Sequence, residues 1–278
     1  MATISPATFI PSNWCKKGLL DAIEQVHAKT GKPGITFQHS AWYMEQLAAS
    51  LGKEFCAPGN GVGKEQATEF NLTDPALVSV WQRISDLYKA GAIHNPGTDA
   101  SAATGAFLAG EVALQMNSSS NYGNIQKGNV AFDWSIHRMP RDTAESGAAP
   151  GGNSLWAVKE GNSDEEIKAA WEFMKFIGSD ESQTQIFQET GYLPTTTTAT
   201  EKLSNLTPQH ESLLDQLGTT PVNTVSAGCH TGALNDARKS YAEAMSTIAN
   251  GSDAKTALET AKQGADSAIA SYNTRAGK

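Results

Sequence analysis

Apolar positions along the chain recur three and four residues apart, and between these stretches stand short apolar runs closed by glycine or proline. That alternation predicts helices joined to short strands. Over residues 14–29, Trp14, Leu19, Leu20, Ile23 and Val26 share one helical face, and Gly31-Lys32-Pro33-Gly34 stops it. Ile35-Thr36-Phe37 reads as a strand and residues 42–51 as a second helix, closed by Gly52. Asp74 and Pro75 supply an N-cap and a first-turn proline to a helix through about Lys89, whose apolar face is Leu77, Val80, Trp81, Ile84 and Leu87. A helix over 100–109 is followed by a buried strand over 112–116 that runs into Asn117-Ser118-Ser119-Ser120 and a helix opening at Asn121. Strand, serines and helix N-terminus in that order present free N–H groups to an anion.

In the second half, residues 130–136 read as a strand ended by Met139-Pro140. Gly151-Gly152-Asn153-Ser154 then leads into Leu155-Trp156-Ala157-Val158, predicted as a loop feeding a short buried strand. The paired glycines permit a positive φ or a close backbone approach. Helices follow over 164–177, 180–189, 208–217, 235–249 and 253–272, with the threonine run 195–198 read as loop. The interleaving of strands and helices, without an internal repeat, predicts the α/β class.

The 278 residues are 39% hydrophobic and 18% charged, a composition that supports a packed core. A net charge of −8 argues against a nucleic-acid surface, which needs a basic stripe, but leaves room for a local anion site built from one arginine and a few donors. No apolar run is long enough to span a bilayer. Residues 1–13 lack the basic and apolar regions of a signal peptide. Cys15, Cys56 and Cys229 form no CxxC pair, so no zinc site is expected. Their odd number leaves at least one thiol unpaired in a monomer, and a Cys15–Cys56 bridge requires the fold to bring the two together. Gly59-Asn60-Gly61-Val62-Gly63-Lys64-Glu65 is one residue short of a phosphate loop and carries Glu65 where a magnesium-holding hydroxyl belongs, so it is not read as one. There is no HExxH, no GxSxG and no paired Cys/His set, so neither an enzyme nor a cofactor is expected.

The order Phe107-x-x-Gly110-Glu111-x-Ala113-Leu114, Ser118-Ser119, Gly151-Gly152-x-Ser154-Leu155-Trp156 and Gly191-Tyr192-Leu193-Pro194 resembles the substrate-binding proteins of ABC importers, the extracellular solute-binding family, and within it the members that take glycerol phosphates. The resemblance runs from about Trp14 to Tyr272. It implies a type II periplasmic-binding-protein fold, mainly the C-terminal lobe with part of the N-terminal lobe. Residues 1–150 would form the first part of the second lobe, 151–193 the crossover elements that pack on the first lobe, and 194–278 the C-terminal helices of the second. It also implies a periplasmic or extracellular location, a membrane permease as partner, and an anionic solute, glycerol 3-phosphate or a related glycerophosphodiester, bound in a cleft between lobes. Family members are normally longer at the N-terminus, which supplies a signal peptide and most of the first lobe, so the chain reads as truncated and in need of a missing N-terminal lobe.

Carried over residue by residue, the family's ligand set falls on Ser118, Gly152, Tyr192 and Arg238, with the tryptophan that walls the glycerol at Trp42 after a shift in spacing. These types suit a phosphate ester, which wants a guanidinium, hydroxyls and backbone N–H donors. Taken singly, each has a plain structural reading as well: Ser118 as a helix cap, Tyr192 as a core or hinge residue, Arg238 as a surface charge. The alternatives are a binder of a neutral sugar or oligosaccharide, for which aromatic platforms outweigh Arg238, and an enzyme on phosphorylated substrates.

Overall fold

The computed structural model describes residues 18–152 and 154–277. They divide into two compact units. The first comprises residues up to 117, then 139–150 and 219 onward; the second comprises 118–138 and 151–218.

The first unit is an α/β body. Its parallel sheet has the order β4-β1-β5, with β1 (Ile35–Thr36) between β4 (Ile93–His94) and β5 (Leu114–Gln115). Ile35 stands opposite Ile93 on one side and Leu114 on the other. Parallel neighbours need crossover connections. Here α2 (Ala41–Ser50) and α3 (Pro75–Lys89) lie between β1 and β4 in the chain, and α4 (Ala100–Leu108) lies between β4 and β5. An antiparallel pair, β2 (Cys56–Ala57) and β3 (Glu69–Phe70), is inserted between α2 and α3.

The predicted helix signals work as physical caps. Asp74 accepts the N–H of Ala76 at 2.8 Å with Pro75 in the first turn, and Leu77, Val80, Trp81, Ile84 and Leu87 of α3 are all buried. The first helix, α1 (Leu19–Thr30), ends at Gly31 in the left-handed conformation. Two C-terminal helices complete the core: α11 (Leu234–Ala249) and α12 (Ala254–Arg275), the latter capped by Asp253 on Thr256. Ala237, Ala244, Ala257, Ala261 and Ala265 are buried along them. These small side chains permit close helix approach, while Tyr241, Met245, Ile248, Leu258 and Ile269 fill the space around them. Full burial of each of the larger aliphatic groups contributes about 1.5–3 kcal/mol.

The second unit has no β-strand among its described residues. It is built from α5 (Tyr122–Lys127), α6 (Asp164–Ile177), α7 (Asp180–Thr190), α8 (Thr197–Glu201) and α9 (Pro208–Thr219). Its small core is Tyr122, Phe187 and Leu213, with Trp134, Ile136 and Leu193 packed on it. His210 joins this core, its ring 4.6 Å from Tyr122 and 5.1 Å from Phe187.

Three expectations are corrected here. Residues 130–136 form no strand; Trp134 and Ile136 serve packing, and Asn129 turns the chain with φ 45°. The threonine run enters a short helix, α8, because Thr196 caps it through the N–H of Ala199. Residues 154–158 are neither strand nor buried: Leu155 is 50% exposed, Trp156 89% and Val158 67%. A strand needs a neighbour for its N–H and C=O groups, and this unit offers none. In α6, no residue is buried despite its apolar periodicity; Trp171, Phe173 and Phe176 stand exposed. No helix among the described residues is long and apolar enough to cross a membrane.

Candidate functional site

In the first unit the sequence-predicted residues Trp42 and Arg238 lie on α2 and α11. Arg238 sits in the second turn of α11, and the start of that helix is fixed by its surroundings. Cys229, five residues before Leu234, is joined to Cys56. The sequence leaves the pairing open, naming Cys15 with Cys56 only as conditional on the fold, and the bridge found is a different one; Cys15 lies outside the described residues. Beside the bridge, Asn60 is fully buried at φ 53°. Its side-chain oxygen accepts the N–H groups of Phe55 (2.7 Å) and Cys56 (2.8 Å), its amide donates to the Thr224 carbonyl (2.8 Å), and its own carbonyl accepts the N–H of His230 (2.7 Å). The glycine-rich loop 59–63 is thus a clamp on the segment entering α11.

The Arg238 guanidinium meets Glu45 of α2 side-on. Nε donates to Oε1 at 2.8 Å and Nη2 to Oε2 at 2.7 Å. Tyr241, one turn along α11, donates its hydroxyl to the same Oε1 at 2.5 Å. Glu45 is 9% exposed and Tyr241 0%, so this carboxylate is held out of water by three donated hydrogen bonds. The hydrogen bonds that Arg238 donates to Glu45 push the arginine's pKa further up, and burial followed by the Glu45 charge raises that of the Tyr241 phenol. Trp42 stands three residues before Glu45, on the same face of α2. It is half-buried, its ring packs edge-on at 5.1 Å from Tyr43, and its indole N–H is buried without a hydrogen-bond partner.

In the second unit Ser118, Tyr192 and Gly152 belong to one neighbourhood. The Ser118 hydroxyl caps the turn at Ser119–Asn121, accepting from the Ser120 N–H (3.3 Å) and hydroxyl (3.0 Å). Gly191 ends α7 with φ 80°. A Cβ there would lie 2.4 Å from the Ser119 carbonyl oxygen and 2.8 Å from Tyr122 Cβ, so only glycine admits this approach. It sets Tyr192 beside the serine turn, with the Tyr192 N–H donating to Thr190 at 3.1 Å. Gly152 has φ 120°, and a Cβ on it would come 3.6 Å from the Tyr192 ring. A polar groove of about 290 Å³ elsewhere in this unit, lined by Asn129, Asp133, Trp134 and Gln209 among others, contains none of the predicted residues.

Sequence reasoning passed over Glu45 and Tyr241. A signal for both exists. Glu45 is the one charge in the otherwise uncharged stretch Ala41 to Ser50, and a charge on a buried helix requires a partner. Tyr241 follows Arg238 at the three-residue spacing that places two side chains on one helical face.

A family profile described as bacterial extracellular solute-binding protein matches residues 7–212. The sn-glycerol-3-phosphate-binding periplasmic protein UgpB of Rhizobium meliloti (strain 1021) is 31% identical over 271 residues, covering 94% of this chain and 61% of the relative. Its counterpart from Brucella melitensis biotype 1 is 29% identical over 272 residues, with the same coverage. The chain therefore spans about three-fifths of the length of these curated relatives. Among solved structures, UgpB from Mycobacterium tuberculosis in complex with glycerophosphocholine superposes with a TM-score of 0.69 at 18% identity, over 96% of this chain and 63% of that one. The maltose/maltodextrin-binding domain MalE from Bdellovibrio bacteriovorus bound to maltotriose gives 0.69 at 21% identity, over 94% and 68%. At such identities these structures speak for the fold alone, the expected periplasmic-binding-protein α/β architecture.

Proposed function

The chain belongs to the bacterial extracellular solute-binding protein family, and from that premise we propose that it binds a glycerol phosphate, glycerol 3-phosphate or a glycerophosphodiester, for delivery to a membrane permease of the ABC type. The observation that carries the reading is Arg238, a partly exposed guanidinium held by Glu45 on α11, in a chain 31% identical to a glycerol-3-phosphate-binding protein. The role is binding without turnover, in the periplasm or at the cell exterior. Arg238 of the first unit is the charge anchor and Trp42 an aromatic wall. Ser118, Tyr192 and the Gly152 amide of the second unit are polar groups of the types that a phosphate ester and its glycerol hydroxyls use.

Glu45 supports Arg238 in this role by orienting it. A long flexible side chain already held by two bonds loses less rotamer freedom when a ligand arrives. We assign the exposed side chains of α6 and of residues 154–158 to an interface with a further lobe of the binding protein.

Titration calorimetry of the chain with sn-glycerol 3-phosphate tests the reading. Binding is expected, and Arg238→Ala should weaken it tenfold to a hundredfold, the equivalent of about 1.5–3 kcal/mol for a hydrogen bond to a charged group. Saturable binding of maltotriose with none of glycerol phosphates would replace this reading with that of a sugar binder. Release of inorganic phosphate on incubation would replace it with that of an enzyme.

A further inference from the structure

We infer that Glu45 is a specificity-determining residue: it holds Arg238 side-on and offsets much of its charge, leaving the end of the guanidinium to a ligand phosphate, so that the site selects a singly charged phosphodiester over a doubly charged phosphomonoester. The inference rests on the reading of Arg238 as the phosphate anchor and refines it to a charge class.

The geometry supplies each step. A guanidinium has five N–H donors in a planar fork. The bonds to Glu45 use the Nε–H and one N–H of Nη2. The other Nη2 hydrogen and both on Nη1 form the end-on edge, the second of the two bidentate faces that arginine offers to oxyanions. Glu45 has a side chain only 10% exposed, while the Arg238 side chain is 36% exposed, so the carboxylate is enclosed and the arginine reaches solvent.

The carboxylate cannot swing away to make room. Tyr241, fully buried, donates to its Oε1 while Arg238 donates to both oxygens. A phosphate on the end-on edge would therefore share the guanidinium with a fixed negative charge on its other side. An arginine alone rewards the second negative charge of a monoester. An arginine already paired with a buried carboxylate rewards it far less, because the fixed carboxylate, roughly twice as far from the phosphate as the guanidinium is, offsets about half of the attraction, while the second charge still costs more to take out of water. A phosphodiester has one negative charge, keeps two free oxygens for bidentate bonding and avoids the extra repulsion. A phosphomonoester, with a second pKa of about 6, bears close to two charges above neutral pH.

The test compares sn-glycerol 3-phosphate with its methyl phosphodiester and with glycerophosphocholine, at pH 8, by calorimetry on the full chain. The methyl diester isolates charge from any contact to a larger head group. The wild type should bind both diesters on the order of tenfold more tightly than the monoester. Glu45→Gln keeps a side chain of the same shape and removes the charge, and it should narrow or reverse that ratio. Tyr241→Phe removes a hydrogen bond to Glu45 but leaves the charge, so it should shift the affinities together and leave the ratio in place. Should Glu45→Gln fail to fold, the wild-type ratio still decides. A monoester bound as tightly as the diesters or more so overturns the inference while the glycerol-phosphate reading stands. Failure to bind any of the three overturns both.

Discussion

The bridge between Cys56 and Cys229 makes the strongest quantitative claim about this fold. It closes a loop across a sequence separation of 173 residues, from the hairpin strand β2 to the segment before α11. On the chain-entropy account, a cross-link stabilises by restricting the unfolded chain, and a loop of this length gives about 5 kcal/mol. Native-state strain and residual unfolded structure reduce the effect, so this is an upper figure. Replacing both cysteines by alanine removes the cross-link without leaving a buried thiol. At roughly 2–4 °C per kcal/mol for a body of this size, the melting temperature of the first unit should fall by up to roughly 10–20 °C.

Differential scanning calorimetry of the double variant beside the wild type reads the shift. Peptide mapping without reduction should recover Cys56 joined to Cys229. Because Cys56 has no exposed surface, mild reductant should leave the bridge intact in the native protein and open it only once the fold is loosened. A map that joins Cys15 to either partner would refute the pairing. A melting temperature within about 2 °C of wild type would refute the entropic argument, since that is a shift of only about 1 kcal/mol or less.

Gly152→Val forces a branched side chain onto φ 120° beside Tyr192, and should reduce glycerol-phosphate affinity much more than Ser118→Ala, which removes one neutral hydrogen-bonding group worth about 0.5–1.5 kcal/mol; equal affinities of the two variants in calorimetry would place the ligand elsewhere. His39 is 5% exposed, pairs through Nδ1 with Ser246 at 3.2 Å, and has a buried Nε2 with no partner, and burial lowers its pKa below 6.5. A lowered pKa means the fold prefers the neutral ring, so this contribution is complete above pH 6.5 and is lost as pH falls below it through the folded value. Urea melts between pH 7.5 and 4.5 should show a shallower loss for His39→Leu, and parallel curves would remove His39 from the acid response. Trp156, Trp171, Phe173 and Phe176 leave an apolar surface exposed on the second unit, so the chain should self-associate in sedimentation velocity, and Trp156→Ser with Phe176→Ser should reduce this; concentration-independent monomers of wild type would contradict it.

What the sequence discloses and what it withholds divide by the range of the interaction. The helices α3, α6, α7, α11 and α12 are legible because their causes are local. Asp74, Ser163, Ser179 and Asp253 each cap a helix by accepting an N–H two or three residues ahead, and the apolar spacing follows within the same turns. The strands are less legible, since their ladders depend on partners far along the chain: Ile35 on Ile93 and Leu114. Leu155 to Val158 has strand composition and no strand partner, and so stays irregular and exposed. The candidate site follows the same division. The types of Ser118, Gly152, Tyr192 and Arg238 can be read and ordered by resemblance to a family, yet the meaning of Arg238 is set by Glu45, 193 positions away. A guanidinium alone is an attractor of charge; one held side-on by an enclosed carboxylate is an oriented set of donors with little net charge. The sequence names the group, and the fold decides which of its two properties it presents.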